Sequence, residues 1–229
     1  MPSKKLLPSH ELMVRVRQAF HSYGYDRLTM IDLASHCEFT RRALYFYFSS
    51  KEEAFRAVVA YFNTIAIRQG LEAGYNVRKA GGSTVEIIAE TLNIRYGETR
   101  RNVSRSPHLI ELNGEALRRC HDLMVESALI FHNDLEAVIR SLIEGGLLDL
   151  KPDVSSSDLT QLLTDGARGV NQTLPPLAAE AFAPRYRAIT KAILFGCAVA
   201  PTGSGTPRAE PAGRSRRGVA RGGACIAES

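Results

Sequence analysis

The sequence has no apolar run long enough to cross a membrane. Its longest, Ala192 to Ala200, is interrupted by Gly196 and falls well short of the roughly 18 residues that a membrane helix needs. Lysines near the start, Lys4 and Lys5, have no apolar stretch behind them, so no secretory signal is expected. Four cysteines, Cys37, Cys120, Cys197 and Cys225, lie far apart with no C-x-x-C pair. That spacing excludes a spaced zinc site and fits a reducing, cytoplasmic setting with no metal or cofactor. A Gly-rich phosphate loop, H-E-x-x-H and G-x-S-x-G are also missing, and no Ser/His/Asp grouping stands out. No catalytic residue is assigned.

What is present is enough apolar material for a core. Of 229 residues 45% are hydrophobic and 23% charged, an ordinary globular balance. The net charge of +5 is uneven: +4 over residues 1–69, −2 over 70–200 and +3 over 201–229. A basic head on a slightly acidic body suits a protein whose front meets a polyanion.

Apolar spacing is helical nearly throughout, and no stretch alternates with period two, so the fold class is all-α. Leu12, Val16, Ala19, Phe20 and Tyr23 line one face of a first helix, which Gly24 stops. Thr29 caps a second helix with Met30, Leu33, Ala34 and Cys37 inward. After a break at Glu38-Phe39, Thr40 caps a third with Leu44 and Phe48 inward. Ser49-Ser50 breaks and recaps, and Lys51 opens a longer helix to about Gln69. Residues 70–83 read as a glycine-rich loop or frayed helix.

Further helices are expected over 84–96, 107–113, 115–144, 157–173 and 177–198. On the 115–144 helix Leu117, Cys120, Met124, Ala128, Phe131, Leu135, Val138 and Leu142 trace one continuous stripe. Residues 84–150 are expected to enclose an apolar cavity. From Pro201 onward the chain holds six Gly, three Pro and five Arg with almost no large apolar side chain. Such a segment cannot offset its ordering entropy and reads as a disordered tail, whose arginines could add nonspecific attraction to phosphate.

Residues 29–48, T-M-I-D-L-A-S-H-C-E-F-T-R-R-A-L-Y-F-Y-F, have the layout of a helix-turn-helix. The second helix of such a pair presents its N-terminal turn to a major groove. Arg41, Arg42, Ala43, Tyr45 and Tyr47 would be its exposed positions. Arginine can bond guanine O6 and N7 or grip phosphate, tyrosine hydroxyls can donate to phosphate, and Ala43 lets a thymine methyl approach. Lys51 and the backbone amides at the start of its helix form a second phosphate clamp.

This stretch resembles the TetR family of bacterial transcription regulators over about residues 11–61. The likeness rests on Phe20, Gly24 and Tyr25, then Thr29, then D-L-A at Asp32 to Ala34. It continues through Leu44, Tyr45 and Phe48 to S-K-E-E at Ser50 to Glu53. It implies that Arg41, Arg42 and Ala43 read bases, and that Thr29, Tyr45, Tyr47 and Lys51 hold phosphates, with Thr40 capping the reading helix. Two positions depart from the pattern. Glu38 stands where the turn usually has Gly, so the turn either avoids positive φ or carries strain. Tyr47 stands where His is common.

The resemblance further implies a DNA-binding domain at 1–50 continued by a linking helix at 51–69, and a helical effector-binding and dimerisation domain at 70–200. The tail at 201–229 follows. The implied partners are a double-stranded DNA operator, a small-molecule effector and a second copy of the chain, paired through the 157–173 and 177–198 helices. Gly166, Ala167 and Gly169 there suit close helix approach, between subunits or within one. Arg95, Tyr96, His108, Glu111, His121 and Asn133 are candidate pocket residues. His121 and His132 share a helix face, but a metal would need a third ligand that the spacing does not identify. Two alternatives stand beside a ligand-responsive repressor: a helix-turn-helix adaptor that binds DNA constitutively, and a helical enzyme.

Overall fold

A computed structural model describes residues 6–98, 100–101, 106–175 and 177–199. The tail expected at 201–229 and Cys225 lie outside the described residues. Short polar signals start the helices. Ser9 Oγ accepts from the Leu12 N–H at 3.2 Å and opens α1, His10–Tyr23. Thr29 and Asp32 form a reciprocal capping box at the head of α2, Met30–His36. Thr40 caps α3, Arg41–Tyr45, and Ser50 caps α4, Lys51–Lys79. Ser83 with Glu86 opens α5, Thr84–Leu92. Each cap satisfies an amide that a helix start leaves without a partner.

A π-helical turn, Asn93–Glu98, continues α5. Then come α6, Leu109–Arg119, α7, His121–Glu144, and α8, Ser156–Asn171, the last again begun by a capping box of Ser155 and Asp158. A 3-10 turn at Ala179–Ala181 leads into α9, Phe182–Cys197. No strand occurs among the described residues. A lone antiparallel bridge joins Leu150 to Ala198.

Two apolar cores form. The first gathers Val16, Phe20, Leu33, Leu44, Phe48, Phe55 and Val58, and takes Leu112 and Cys120 from the α6 region. The second gathers Ile67, Ile88, Leu92, Tyr96, Phe131, Leu135, Leu163 and Tyr186. Helix α4 contributes to both, and at about 1.5 Å per residue it is roughly 43 Å long.

Three expectations from the sequence change. The fourth helix runs to Lys79 rather than Gln69, because Gly70 and Gly74 are packing sites and not breakers. A Cβ on Gly70 would sit 2.8 Å from the Thr91 carbonyl oxygen, and one on Gly74 would sit 2.0 Å from Thr91 Oγ1. Their missing side chains let α5 lie against α4, and that packing outweighs the local cost of glycine.

The expected helix at 115–144 is two helices broken at Cys120, whose backbone lies at φ −125° and ψ 19°. The first starts at Leu109 and passes straight through Gly114. The break ends the continuous stripe: Cys120, Phe131, Leu135 and Leu142 are buried, but Leu117 is 58% exposed and Met124 is also exposed. The last helix begins at Phe182, not Leu177.

Glycine spacing here is testable in pairs. Gly70→Ala gains about 1 kcal/mol of helix propensity but pushes against a backbone carbonyl that cannot rotate away. A net loss of about 1–2 kcal/mol is expected. Gly114 has nothing within 4 Å of its missing Cβ, so Gly114→Ala should gain about 0.5–1 kcal/mol. Urea denaturation followed by circular dichroism measures both. Equal gains would show that α4 and α5 have room between them.

Candidate nucleic-acid interface

Helix α2 buries Leu33 and Ala34, the turn buries Cys37, and the α3 region buries Leu44 and Phe48. That inward set fixes which way the rest of α3 faces. Thr29, Thr40, Arg41, Arg42 and Tyr45 are exposed, while Ala43, Tyr47 and Lys51 are half-buried. The structure therefore brings Thr40, Arg41, Arg42 and Tyr45 together on one outer surface. Arg41 and Tyr45 lie one turn apart. The Arg41 guanidinium carbon is 5.5 Å from the Tyr45 ring centre, and its Nη2 is 3.4 Å from the phenol oxygen.

Other candidates are more committed. The Thr29 hydroxyl donates to Asp32 Oδ2 at 2.6 Å, which draws that carboxyl below the usual range. Tyr47 packs edge-on against Phe39 with ring centres 5.7 Å apart. Lys51 Nζ donates to the Tyr25 carbonyl at 2.7 Å and the Asp26 carbonyl at 3.3 Å, and lies 4.5 Å from the Tyr25 ring centre. In this arrangement Lys51 pins the α1–α2 connection to the start of α4.

The turn at Glu38 has the strained geometry. Its φ is 60°, in the left-handed region that a side chain rarely occupies. Arg15, which no sequence motif singles out, holds it there. Arg15 Nη1 reaches Glu38 Oε2 at 2.6 Å and the Cys37 carbonyl at 3.3 Å, and Nη2 reaches Glu11 at 2.9 Å. The guanidinium keeps the Glu38 carboxyl below the usual range. No local signal reveals this contact, because 23 residues separate the pair. Phe46, 40% exposed beside Tyr45, is a second surface residue that the sequence pattern does not mark.

The six candidate pocket residues fall in three places. Arg95 and Tyr96 are buried on the π turn. His108 and Glu111 pair at 3.1 Å at the start of α6, where Glu111 also accepts from the Asp26 N–H at 2.7 Å. Gly24 makes room for that pair, since a Cβ there would meet Glu111 Oε2 at 2.4 Å, and its φ of 76° suits glycine alone. His121 and Asn133 are exposed on α7. They do not line one cavity.

The Arg95 guanidinium lies against the rings of Tyr96 and Phe131. Two open grooves instead run along α4, of about 570 Å³ beside Glu52, Arg56 and Leu123, and about 420 Å³ beside Met13, Tyr61 and Arg68. Among the described residues no three His, Cys, Asp or Glu side chains are placed to hold a metal ion. Burial pushes the Cys37 and Cys120 thiols up to about 11, away from reactive thiolate. No helix among the described residues is long and apolar enough to cross a membrane.

Residues 16–58 match the family model for bacterial regulatory proteins of the tetR family. The head matches that family. The fold agrees beyond the head. A TetR transcription regulator from Haloarcula marismortui matches with a TM-score of 0.62 at 18% identity, covering 82% of this chain and 97% of that one. SmeT, the repressor of the Stenotrophomonas maltophilia multidrug efflux pump SmeDEF, matches at 0.59 and 15%, covering 88% and 96%. PfmR, a TetR-family transcriptional regulator from Thermus thermophilus, matches at 0.51 and 19%, covering 82% and 98%. No curated protein sequence matches the chain. The chain thus has the fold of a TetR-family transcriptional regulator, a helix-turn-helix head followed by a helical body.

Glu38 separates backbone strain from the Arg15 contact. Glu38→Gly relieves roughly 1–2 kcal/mol of left-handed strain. It gives up an exposed, solvent-screened ion pair of little worth and adds unfolded-chain freedom of about 0.5–1 kcal/mol. Its stability should stay within about 1 kcal/mol of the parent. Glu38→Val should lose more than about 1 kcal/mol, because a branched side chain tolerates this φ worst. Denaturation midpoints measure both, and equal losses would mean that Arg15 alone holds the turn.

Proposed function

We propose that the chain is a ligand-responsive transcription repressor that binds a near-palindromic operator as a homodimer. The observation that carries this reading is the outer face of α3. Thr40, Arg41, Arg42 and Tyr45 stand exposed on a helix whose opposite side is fully used by Leu44 and the buried Phe48 behind it. Arg41 and Arg42 are assigned to base edges or phosphates, Ala43 to close approach, and Thr29, Tyr45, Tyr47 and Lys51 to the phosphate backbone. Lys51 would have to release its two carbonyls, or share its ammonium with them, to reach a phosphate.

Support for pairing comes from α8 and α9. Leu162 and Gly169 are exposed on one face of α8, and Ala188, Ala192 and Phe195 on one face of α9, Phe195 at 87% exposure. Gly166 serves the other purpose, seating Ile189 and Ile193 of α9 within the chain, each about 3.1 Å from where its Cβ would be. The likeness to SmeT supports the repressor role, and the effector is assigned to the helical body.

A two-fold dimer presents two reading helices to successive major-groove faces. DNA selected from a random pool should therefore hold two inverted half-sites with centres about 34–36 Å apart, or a small multiple of that. Recovery of no symmetric motif would sink the dimeric reader. Arg41→Ala or Arg42→Ala should cost about 1–3 kcal/mol and relax preference at one position, where a uniform loss would make both arginines phosphate contacts only. Lys51→Ala should weaken every sequence alike and lower the salt slope by about one. An unchanged slope would leave Lys51 as a purely internal tie.

A further inference from the structure

One buried cation of the body has no counter-charge among the described residues. Arg95, on the π turn, is only 6% exposed. Its Nη2 donates to the Ser127 hydroxyl at 3.0 Å, and its Nε is buried without an acceptor. The guanidinium carbon lies 4.9 Å from the Tyr96 ring centre and 5.4 Å from that of Phe131. Among the described residues no carboxylate pairs with it.

The nearby charge has the same sign. Burial works against the Arg95 charge first, and Arg168, itself paired with Asp165 at 2.8 Å, adds a second positive charge nearby. Burying a guanidinium is costly unless an anion and full hydrogen bonding accompany it, and ring contacts recover a part. The residue also sits in a π-helical stretch, a distortion that often accompanies function.

We infer that Arg95 anchors an anionic effector, an apolar monocarboxylate whose oxygens pair with the buried guanidinium and whose body takes a place beside Tyr96 and Phe131 when the π turn shifts. The inference rests on the ligand-responsive reading and gives that ligand a chemical class. A carboxylate matches the two-pronged fork of arginine, and a single charge matches a single unpaired cation. The aromatic and aliphatic surroundings ask for an apolar remainder. Nε is buried without an acceptor, so an anion reaches it only with a shift of the π turn.

The experiment uses the full chain and scanning calorimetry. The probes are octanoate, decanoate and phenylacetate, each beside its neutral amide, with inorganic phosphate as a separate arm. At least one carboxylate should raise the Tm of the parent saturably by several degrees, and its amide should not. Arg95→Gln should abolish the shift, and Arg95→Lys, which keeps the charge but not the fork, should weaken the midpoint about tenfold or more.

The inference is overturned if no carboxylate shifts the parent, if acid and amide act alike, or if a folded Arg95→Gln keeps the shift. A response to phosphate alone overturns the carboxylate assignment. The parent arms decide the matter even where a variant does not fold. Operator binding measured without probe keeps the two readings apart: retained binding with no carboxylate response removes the anion anchor only, and absent binding removes the regulator.

Discussion

Helix α4 is the element on which both cores depend. Ala54, Phe55 and Val58 near its start complete the head core, and Ile67 farther along enters the body core. The glycines at 70 and 74 then bring α5 and the π turn against its far half. A single helix therefore spans both packing units with no loop to absorb movement between them. Backbone position at the π turn is felt directly at Gly70, whose missing Cβ would lie 3.0 Å from Arg95 Cβ.

A second tie runs through α6. Leu112 and Cys120 are buried with head residues, so the head core is incomplete without a segment some sixty residues beyond the helix-turn-helix. Polar contacts reinforce it. Arg56 pairs with Asp122 at 2.5 Å, Arg119 with Glu52 at 2.6 Å, and Ser106 donates to the His21 carbonyl at 2.7 Å. Tyr25 is held between the ammonium of Lys51 and the guanidinium of Arg119, 4.5 and 4.4 Å from its ring centre. Each exposed pair alone contributes little, because solvent screens it. Their importance is geometric: they converge on the α1–α2 connection and on the start of α4, which together set where α3 points.

The head is legible in the sequence because its signals are short-range. Thr29 with Asp32, Thr40 and Ser50 each announce a helix within four residues, and the inward positions of α1 to α3 follow one period. What escapes the sequence is tertiary. Gly70 and Gly74 look like breakers to any local reading, since each costs about 1 kcal/mol against alanine, and only close contact with Thr91 outweighs that cost. The break at Cys120 has no glycine or proline to mark it, whereas Gly114, which does look like a break, lies inside a helix. Residue type and position can name Arg95 and Tyr96 as pocket candidates, but they cannot show that the guanidinium is buried without an anion. The strain at Glu38 is half legible: the residue type flags the turn, and Arg15 becomes visible only in three dimensions.

These ties constrain how any effector could act. An anion that neutralised Arg95 equally well in every arrangement of the body would stabilise the protein and leave DNA affinity unchanged. Release requires that the carboxylate bind better where the π turn has moved, and the energy of that preference must reach α3 through α4 or α6. Reciprocity then holds: a ligand that weakens operator binding by a given factor is itself bound more weakly by that factor on the operator. The buried, uncompensated charge is suited to such a bias. Pairing it with an anion would remove part of the cost of burying it, and the close packing of Gly70 against the π turn would carry any displacement there into the helix that both cores share.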